Sequence, residues 1–399
     1  MPRLPDTARR FIPHASSAGS AGVTAPAASS ETGTVFRIHR HVDEELVQQW
    51  QQLAEDHGTR FAARPAYGLG WHEALGKGRL AVATLHRGDQ LVGVFPLHVR
   101  RRLGIPSHRW LGHGLGTVGE TVAEDATALD ELLAGLRRAG VQLELTHVAE
   151  GAPLLAALRR SPDWVVEYRA DEYCPTIAVP AGTTVRDLRS AKTLRRFRVA
   201  RTRAAENHGP VEFVTVRSPV DVEKHWSDLL RVVSAALREN PANRLNFFTG
   251  PHGDFTRRFL HREAEQGHLL LNALTVDSTW VAFDVLLQTG SRVEGWLTFF
   301  DPAYRKYIPG HLLTERLVDH HDELGITEID QMIGRNPYKQ DWQTAEYVVG
   351  TARAVPADRA WLLPVARRLE NGIAAARTGV GRGRGKLAEL ARRRGRASA

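Results

Sequence analysis

The order of apolar and turn segments between Leu269 and Trp342 limits the fold of this chain more than any single motif. Three strand-length apolar runs, rich in β-branched and aromatic residues, are separated by the turn pairs Asp277-Ser278 and Gly290-Ser291. A loop follows, and the spacing of leucines then predicts an amphipathic helix from His311 to Leu324. Another strand is predicted from Thr327 to Ile333. This series indicates an α/β domain built on a mixed sheet.

The same series resembles the GNAT acyltransferase fold, in which a Gln/Arg-x-x-Gly-x-Gly/Ala loop runs straight into a helix. Here the segment from Arg305 to Gly310 reads Arg-Lys-Tyr-Ile-Pro-Gly, with Ile308 in place of the first glycine of that loop. The ending from Gly334 to Trp342 (Gly-Arg-Asn-Pro-Tyr-Lys-x-x-Trp) resembles the cellulose-biosynthesis (CelD-type) acetyltransferases. Those proteins look like Fem-type peptidyltransferases, which carry two GNAT-like halves. The resemblance covers roughly residues 35 to 355.

An internal repeat favours two halves. Leu80 to His98 and Leu269 to Leu287 share one ungapped pattern of apolar run, polar turn and apolar run. We therefore predict an α/β fold of tandem duplicated GNAT-like domains, with mixed central sheets flanked by helices. The expected divisions are a disordered segment 1–34, a first half 35–182 on the acceptor side, a basic helical connector 183–209, a second half 210–356 on the acyl-donor side, and a terminal helix with a basic tail 357–399.

The loop before the predicted helix is suited to binding an anion. Backbone N–H groups at a helix N-terminus lack partners and carry the positive end of the helix dipole, so a pyrophosphate is well placed there. The resemblance implies acyl-CoA as the co-substrate. The predicted donor-binding residues are Arg305, Lys306, Tyr307, Gly310, His311 and Leu312.

Direct acyl transfer needs a group that takes the acceptor's proton and one that protonates the leaving thiolate. Asp284, Glu294 and Asp330 lie within apolar strands, where burial would raise a carboxyl pKa, although strand alternation could equally expose each of them. Tyr338 resembles the GNAT position that often protonates CoA, and Lys339 could hold a phosphate or carboxylate of the acceptor. No metal site is predicted, because the histidines lack a ligand pattern.

A second match to the donor loop, Arg109-Trp-Leu-Gly112-His-Gly114, precedes no predicted helix for about ten residues. We interpret it as a flexible loop lining the cleft between the halves. Cys174, the only cysteine, excludes an internal disulfide and is expected to be a packed thiol.

The formal charge of +8 is confined to one end of the chain. Residues 366–399 contain ten Lys and Arg against two Glu, so residues 1–365 sum to zero. Such a tail is suited to an anionic membrane surface or RNA, although a solvated tail is the simpler interpretation. No apolar run predicts a membrane span, and the location is expected to be cytoplasmic.

The sequence thus predicts an acyltransferase that moves an acetyl or acyl group from acyl-CoA to an amine or hydroxyl. The family resemblance implies a saccharide or envelope-related acceptor. One alternative is a Fem-like transferase that uses aminoacyl-tRNA. Another is a catalytically silent accessory protein of polysaccharide synthesis, suggested by Ile308.

Overall fold

The computed structural model describes residues 33–102, 104–239 and 247–364. The first half comprises β1 (Thr34–His39), α1 (Glu44–Asp56), α2 (Pro65–Leu75), β2 (Arg79–Leu80), β3 (Val82–Arg87), β4 (Gln90–Phe95), β5 (Leu97–Arg102), β6 (Ile105–Trp110), β7 (Val122–Ala123), α3 (Ala126–Arg138), β8 (Leu143–Ala149), α4 (Pro153–Arg160) and β9 (Trp164–Ala178).

A connector and a second half follow. The connector holds α5 (Val185–Leu188) and α6 (Ala191–His208). The second half comprises β10 (Val211–Val216), α7 (Pro219–Glu239), α8 (Gly250–Glu265), β11 (Leu269–Val276), β12 (Thr279–Thr289), β13 (Arg292–Phe300), α9 (Pro309–Asp319), β14 (Glu328–Asp330), α10 (Pro337–Trp342) and β15 (Ala345–Pro356).

Local sequence explains where several helices begin. Asp43, Asp125, Ser190 and Asn336 each accept a hydrogen bond from a backbone N–H in the first turn of the helix that follows. Such caps satisfy donors that have no partner inside the helix. The boundaries of these helices are therefore set by short polar side chains.

The predicted repeat is confirmed. β3 and β4 form an antiparallel hairpin in which Arg87 pairs with Gln90, and β11 and β12 form another in which Val276 pairs with Thr279. Both hairpins have two-residue turns, and the turns fall at equivalent places in the ungapped alignment. The mixed α/β class expected from the sequence is also confirmed, and each of the two halves contains one of these hairpins.

The two halves exchange their last strands, a feature that the sequence analysis did not predict. Within the described residues, one sheet has the order β1-β3-β4-β7, and a second has the order β10-β11-β12-β13-β14-β9-β15-β8-β6-β5-β2. β9, from the first half, lies beside β14 of the second half, and β15 lies beside β8 of the first. β9 and β15 pair with each other from Trp164–Pro356 to Thr176–Ala345. Each half therefore completes the other's sheet.

The core crosses the same boundary. Phe61 and Tyr67 of the first half pack against Phe259 and Trp296 of the second, with ring centroids 5.2 to 6.2 Å apart. Aromatic side chains bury large apolar areas and dominate the energetics of such contacts. The halves thus share one hydrophobic cluster.

Four local predictions were wrong. β14 ends at Asp330 rather than Ile333, because Met332 and Gly334 adopt positive φ angles of 58° and 99°. α9 starts at Pro309 and ends at Asp319, and turns follow it. The connector is two helices broken near Arg189 rather than one. Arg109 belongs to strand β6, where its guanidinium pairs with Glu144 at 2.6 Å, so the expected flexible loop begins only after Trp110.

Two other expectations concern residues at the chain ends. The predicted disorder before residue 33 and the basic tail after residue 364 lie outside the described residues. Among the helices that are described, none is long and apolar enough to cross a membrane.

The exchanged strands predict that the halves unfold together. Neither half can separate without breaking the β9–β15 ladder and exposing the shared aromatic cluster, so intermediates with one folded half are unstable. We expect a single calorimetric transition of the full chain, with calorimetric and van't Hoff enthalpies equal. Two resolved transitions, each with its own enthalpy, would contradict this prediction.

Candidate active site

The candidate site lies where β13 and β14 separate. The two strands pair in parallel only from Arg292–Glu328 to Glu294–Asp330. β14 then ends, while β13 continues to Phe300. Among the described strands, none pairs with this side of β13 beyond Glu294. A bulge between the pairs Leu286–Gly295 and Val285–Leu297 bends β13 at the same point. Beyond Glu294, the backbone edge of β13 on this side therefore has no strand partner among the described residues.

The unpaired edge of β13 leads into the predicted donor loop. Residues Pro302–Tyr307 form a 3₁₀ turn, and α9 begins immediately after Ile308. Ile308 has φ 48° and ψ 48°, the left-handed region that β-branched residues rarely adopt. The loop therefore keeps the backbone conformation that glycine favours, although the residue is isoleucine. Held strain of this kind is often found at ligand-binding sites.

Tyr338 packs against the first turn of α9. A Cβ atom built on Gly310 would lie 3.4 Å from the Tyr338 ring. The Tyr338 hydroxyl is hydrogen-bonded to the Thr314 hydroxyl, which also donates to the Gly310 carbonyl at 3.3 Å. Burial, reinforced by the nearby Asp284 carboxylate, raises the pKa of Tyr338 far above its usual value. The hydroxyl therefore stays protonated at neutral pH.

Asp284 lies on the same face of the sheet as α9. It stands in β12 between Ala282 and Leu286, which belong to the apolar cluster under α9. The residue is only 5% exposed, and its Oδ1 has no hydrogen-bond partner among the described residues. Burial raises the pKa of Asp284 to about 7, although the Thr298 hydroxyl lowers it in part. A carboxyl that titrates near neutrality is suited to proton transfer.

Glu294 and Asp330 lie on the opposite face and share a cation from the first half. Nη1 of Arg60 lies 2.7 Å from Glu294 Oε1 and 2.8 Å from Asp330 Oδ2. The Phe61 N–H donates to Glu294 Oε2 at 2.9 Å, and the Tyr347 hydroxyl donates to Asp330 Oδ2 at 2.6 Å. Both carboxylates are therefore already bound, so they hold the halves in position at the point where β13 and β14 part.

The other predicted residues have varied surroundings. Lys339 donates to the Met332 and Ile333 carbonyls at 3.1 and 2.8 Å, and burial lowers its pKa. Its ammonium thus closes the turn after β14. Cys174 is fully buried, and burial raises the pKa of its thiol to about 12, which agrees with the expectation of a packed thiol.

Around the donor loop, Arg305 pairs with Glu239 on α7. The Tyr307 hydroxyl is bonded to Asn207 Nδ2 at 3.1 Å and His208 Nε2 at 3.0 Å. His311 stacks on Phe197, and the Leu312 side chain is buried in the core.

Sequence reasoning missed Arg60, Thr314 and Tyr347. Arg60 lies between α1 and the 3₁₀ helix Phe61–Ala63, 234 positions before Glu294, and no local pattern distinguishes it. Thr314 had a usable signal, because it is one helical turn after Gly310 and so must face the same ligand or side chain. No group of three or more potential metal-ligating side chains is found in the described part of the chain.

Residues 191–340 match the family model described as an acetyltransferase (GNAT) domain. No protein of the curated set matches the sequence.

Solved structures share the fold at low sequence identity. FemX is 11% identical, with a TM-score of 0.56, over 81% of this chain and 98% of that one. The C-terminal domain of a putative lysylphosphatidylglycerol synthetase from Agrobacterium fabrum is 14% identical, with a TM-score of 0.51, over 81% and 95%. A protein of unknown function from Bacteroides thetaiotaomicron is 11% identical, with a TM-score of 0.51, over 80% and 99%. At these identities the likeness establishes the fold alone.

Replacing Asp284 by Asn tests its perturbed ionisation. Because the folded pKa is raised, wild-type stability is expected to fall as pH increases from about 4 to about 7 and to stay lower above that. Asp284→Asn removes the free-energy cost of ionising this buried carboxyl, which is on the order of 1.4 kcal/mol per unit of pKa shift. The variant should therefore be more stable than the wild type at pH 8 and closer to it at pH 4, measured by urea unfolding. An equal difference at both pH values would contradict the assigned pKa.

Replacing Arg60 by Met tests the shared cation. Two buried carboxylates would lose their counter-charge, which should cost about 3–5 kcal/mol of unfolding free energy at pH 8. The deficit should shrink near pH 5, because burial already raises the Glu294 pKa and loss of Arg60 raises it further. Arg160→Met is the control, because the Arg160–Asp130 pair is exposed and should contribute about 1 kcal/mol or less. Similar losses in both variants would argue against a buried cluster.

Proposed function

We propose that this protein is an acyltransferase that moves an acyl group from acyl-CoA directly to an amine or hydroxyl. The observation that carries the proposal is the unpaired edge of β13, which runs from the junction with β14 to the N-terminus of α9. A match to an acetyltransferase (GNAT) domain over residues 191–340 supports it.

The donor fits this edge chemically. Its pyrophosphate would bind at the first turn of α9, where backbone N–H groups and the helix dipole favour an anion. Its pantetheine arm carries two amides, which would pair with backbone groups of β13 as an added strand does. The thioester would then lie near the separation of β13 and β14.

The chemistry follows from groups on the α9 face. The acceptor's nitrogen or oxygen attacks the thioester carbon, and a β13 backbone N–H stabilises the developing oxyanion. The Asp284 carboxylate takes the acceptor's proton, directly or through one water. As the carbon–sulfur bond breaks, the Tyr338 hydroxyl protonates the thiolate. The proton that Asp284 took from the acceptor then passes to the ionised Tyr338 oxygen, which restores both groups.

We assign Glu294, Asp330 and Lys339 positioning roles in this scheme, because each is already engaged by Arg60 or by backbone carbonyls. They hold in place the point where β13 and β14 separate, near which the acyl group would lie. The first half supplies Arg60, and it also supplies strand β9, which pairs with β14 beside this point. This arrangement supports the proposal that the first half shapes the acceptor site.

The acceptor class is proposed from the resemblance of Gly334 to Trp342 to CelD-type acetyltransferases: a saccharide or another envelope-related molecule, in the cytoplasm. Aminoacyl-tRNA as donor and a silent accessory role are the competing functions. They are distinguished by which donor the protein binds and whether it turns over.

Two variants test the donor site on the full chain. Gly310→Asp places a negative charge against the pyrophosphate and should abolish acetyl-CoA binding in calorimetry. Tyr338→Phe should keep donor affinity and lower turnover about 10²-fold, because it loses the proton donor. The fold should tolerate this change, since Thr314 keeps its bond to Gly310.

Matched controls separate charge and chemistry from packing. Gly310→Asn has the size of Asp without its charge and should retain more affinity. Tyr168→Phe removes a hydroxyl that donates to Val148 in the first half and should leave turnover unchanged. Full turnover in Tyr338→Phe would overturn its role. Binding of charged tRNA in place of acetyl-CoA by the wild type would overturn the donor assignment.

A further inference from the structure

A groove lies between the connector helix α6 and the 3₁₀ turn that precedes α9. It has a volume of about 310 Å³ and is lined by Arg196, Val199, Arg203 and Asn207 of α6 together with Lys306 and Tyr307 of the turn. Asn207 and His208 hold the Tyr307 hydroxyl and so fix the two walls. The groove is thus a defined feature beside the candidate donor site.

The geometry of α6 directs specific cations into this groove. Phe197, Ala200 and Ala204 form the buried stripe of the helix, with exposures of 1%, 8% and 2%. Arg196 and Arg203 are seven residues apart and therefore lie on one flank of that stripe. Arg198 falls on the other flank, and Arg195 lies on the side opposite the stripe. Only the first pair lines the groove.

The groove's charge is uncompensated. Arg196, Arg203 and Lys306 form no ion pair with any carboxylate in the described residues, and no carboxylate lines the groove. Arg305, by contrast, is neutralised by Glu239. Three convergent cations without a counter-ion, next to an aromatic ring and an exposed valine, suit a ligand that joins phosphate to an apolar or aromatic group.

The groove also adjoins the first turn of α9. Lys306 and Tyr307 are separated from α9 only by Ile308. His311 lies in that first turn. Burial, and to a smaller extent the charge of Arg196, lower its pKa to about 4. Arg196 therefore acts electrostatically on the place where the donor's pyrophosphate is proposed to bind.

We propose that this groove binds the 3′-phosphorylated nucleoside end of the acyl-CoA donor, with Arg196, Arg203 and Lys306 around the 3′-phosphate. The inference rests on the proposed function. It adds that α6, which connects the halves, contributes to donor selection and distinguishes donors that carry a 3′-phosphate from those that lack it.

The test compares acetyl-CoA with acetyl-dephospho-CoA, which lacks only the 3′-phosphate, by calorimetry on the full-length chain. The wild type should bind acetyl-CoA at least about tenfold more tightly, as expected for charge-assisted hydrogen bonds. The double variant Arg196→Gln/Arg203→Gln should lose this preference by weakening acetyl-CoA alone. Arg195→Gln/Arg198→Gln makes the same charge change on α6 outside the groove and should keep the preference.

Other results overturn the inference in distinguishable ways. Equal binding of both esters by the wild type would refute the binding of the 3′-phosphate in the groove but leave the proposed function intact. An unchanged preference for acetyl-CoA in Arg196→Gln/Arg203→Gln would have the same meaning. Equal loss in both double variants indicates a general field effect. If the wild type binds neither ester, the proposed function fails as well. Weakened binding of a short duplex RNA by the groove variant alone, with ester binding unaffected, would assign the groove to RNA.

Discussion

The exchange of β9 and β15 is the constraint on which the rest of the structure depends. Each strand lies beside strands of the half to which it does not belong, so strands of both halves join in one eleven-stranded sheet. That sheet fixes where β14 ends against β9, and therefore where β13 loses its partner. The Arg60 cluster lies at the same point and links the first half to both β13 and β14. The opening of the candidate site is thus a product of the interface between halves.

The sheet divides the predicted carboxylates into two environments. On one face, Glu294 and Asp330 are buried but compensated by Arg60, and such groups remain bound to their partner. On the other face, Asp284 is buried with little compensation, which raises its pKa to about 7. Burial alone therefore does not identify a catalytic acid or base. These carboxylates differ in whether a cation from a distant part of the chain pairs with them: Arg60 pairs with Glu294 and Asp330 but not with Asp284.

Much of the fold could be predicted from local pattern. The repeated hairpins are recognisable because each has alternating apolar runs around a two-residue turn, and helix starts are marked by polar caps. Properties that depend on distant partners were not predictable. The extended segment after Asp330 had a strand-like sequence, but Met332 turns into the left-handed region, where the Asp330 carboxylate accepts its N–H. Ile308 likewise looked like a break in the donor loop, although its backbone adopts the glycine-like conformation. Arg60 carries no local signal.

The strand exchange also has a consequence for synthesis on the ribosome. β8 pairs with β6 on one side, but it cannot gain its second neighbour until β15, at Ala345–Pro356, has been translated and has emerged from the exit tunnel. The first half, although translated first, must wait with an unpaired strand edge for almost the whole described chain. Pairings so distant in sequence slow folding and leave hydrophobic edges open to aggregation. Nascent chains of this protein are therefore expected to depend on chaperones until translation is nearly complete.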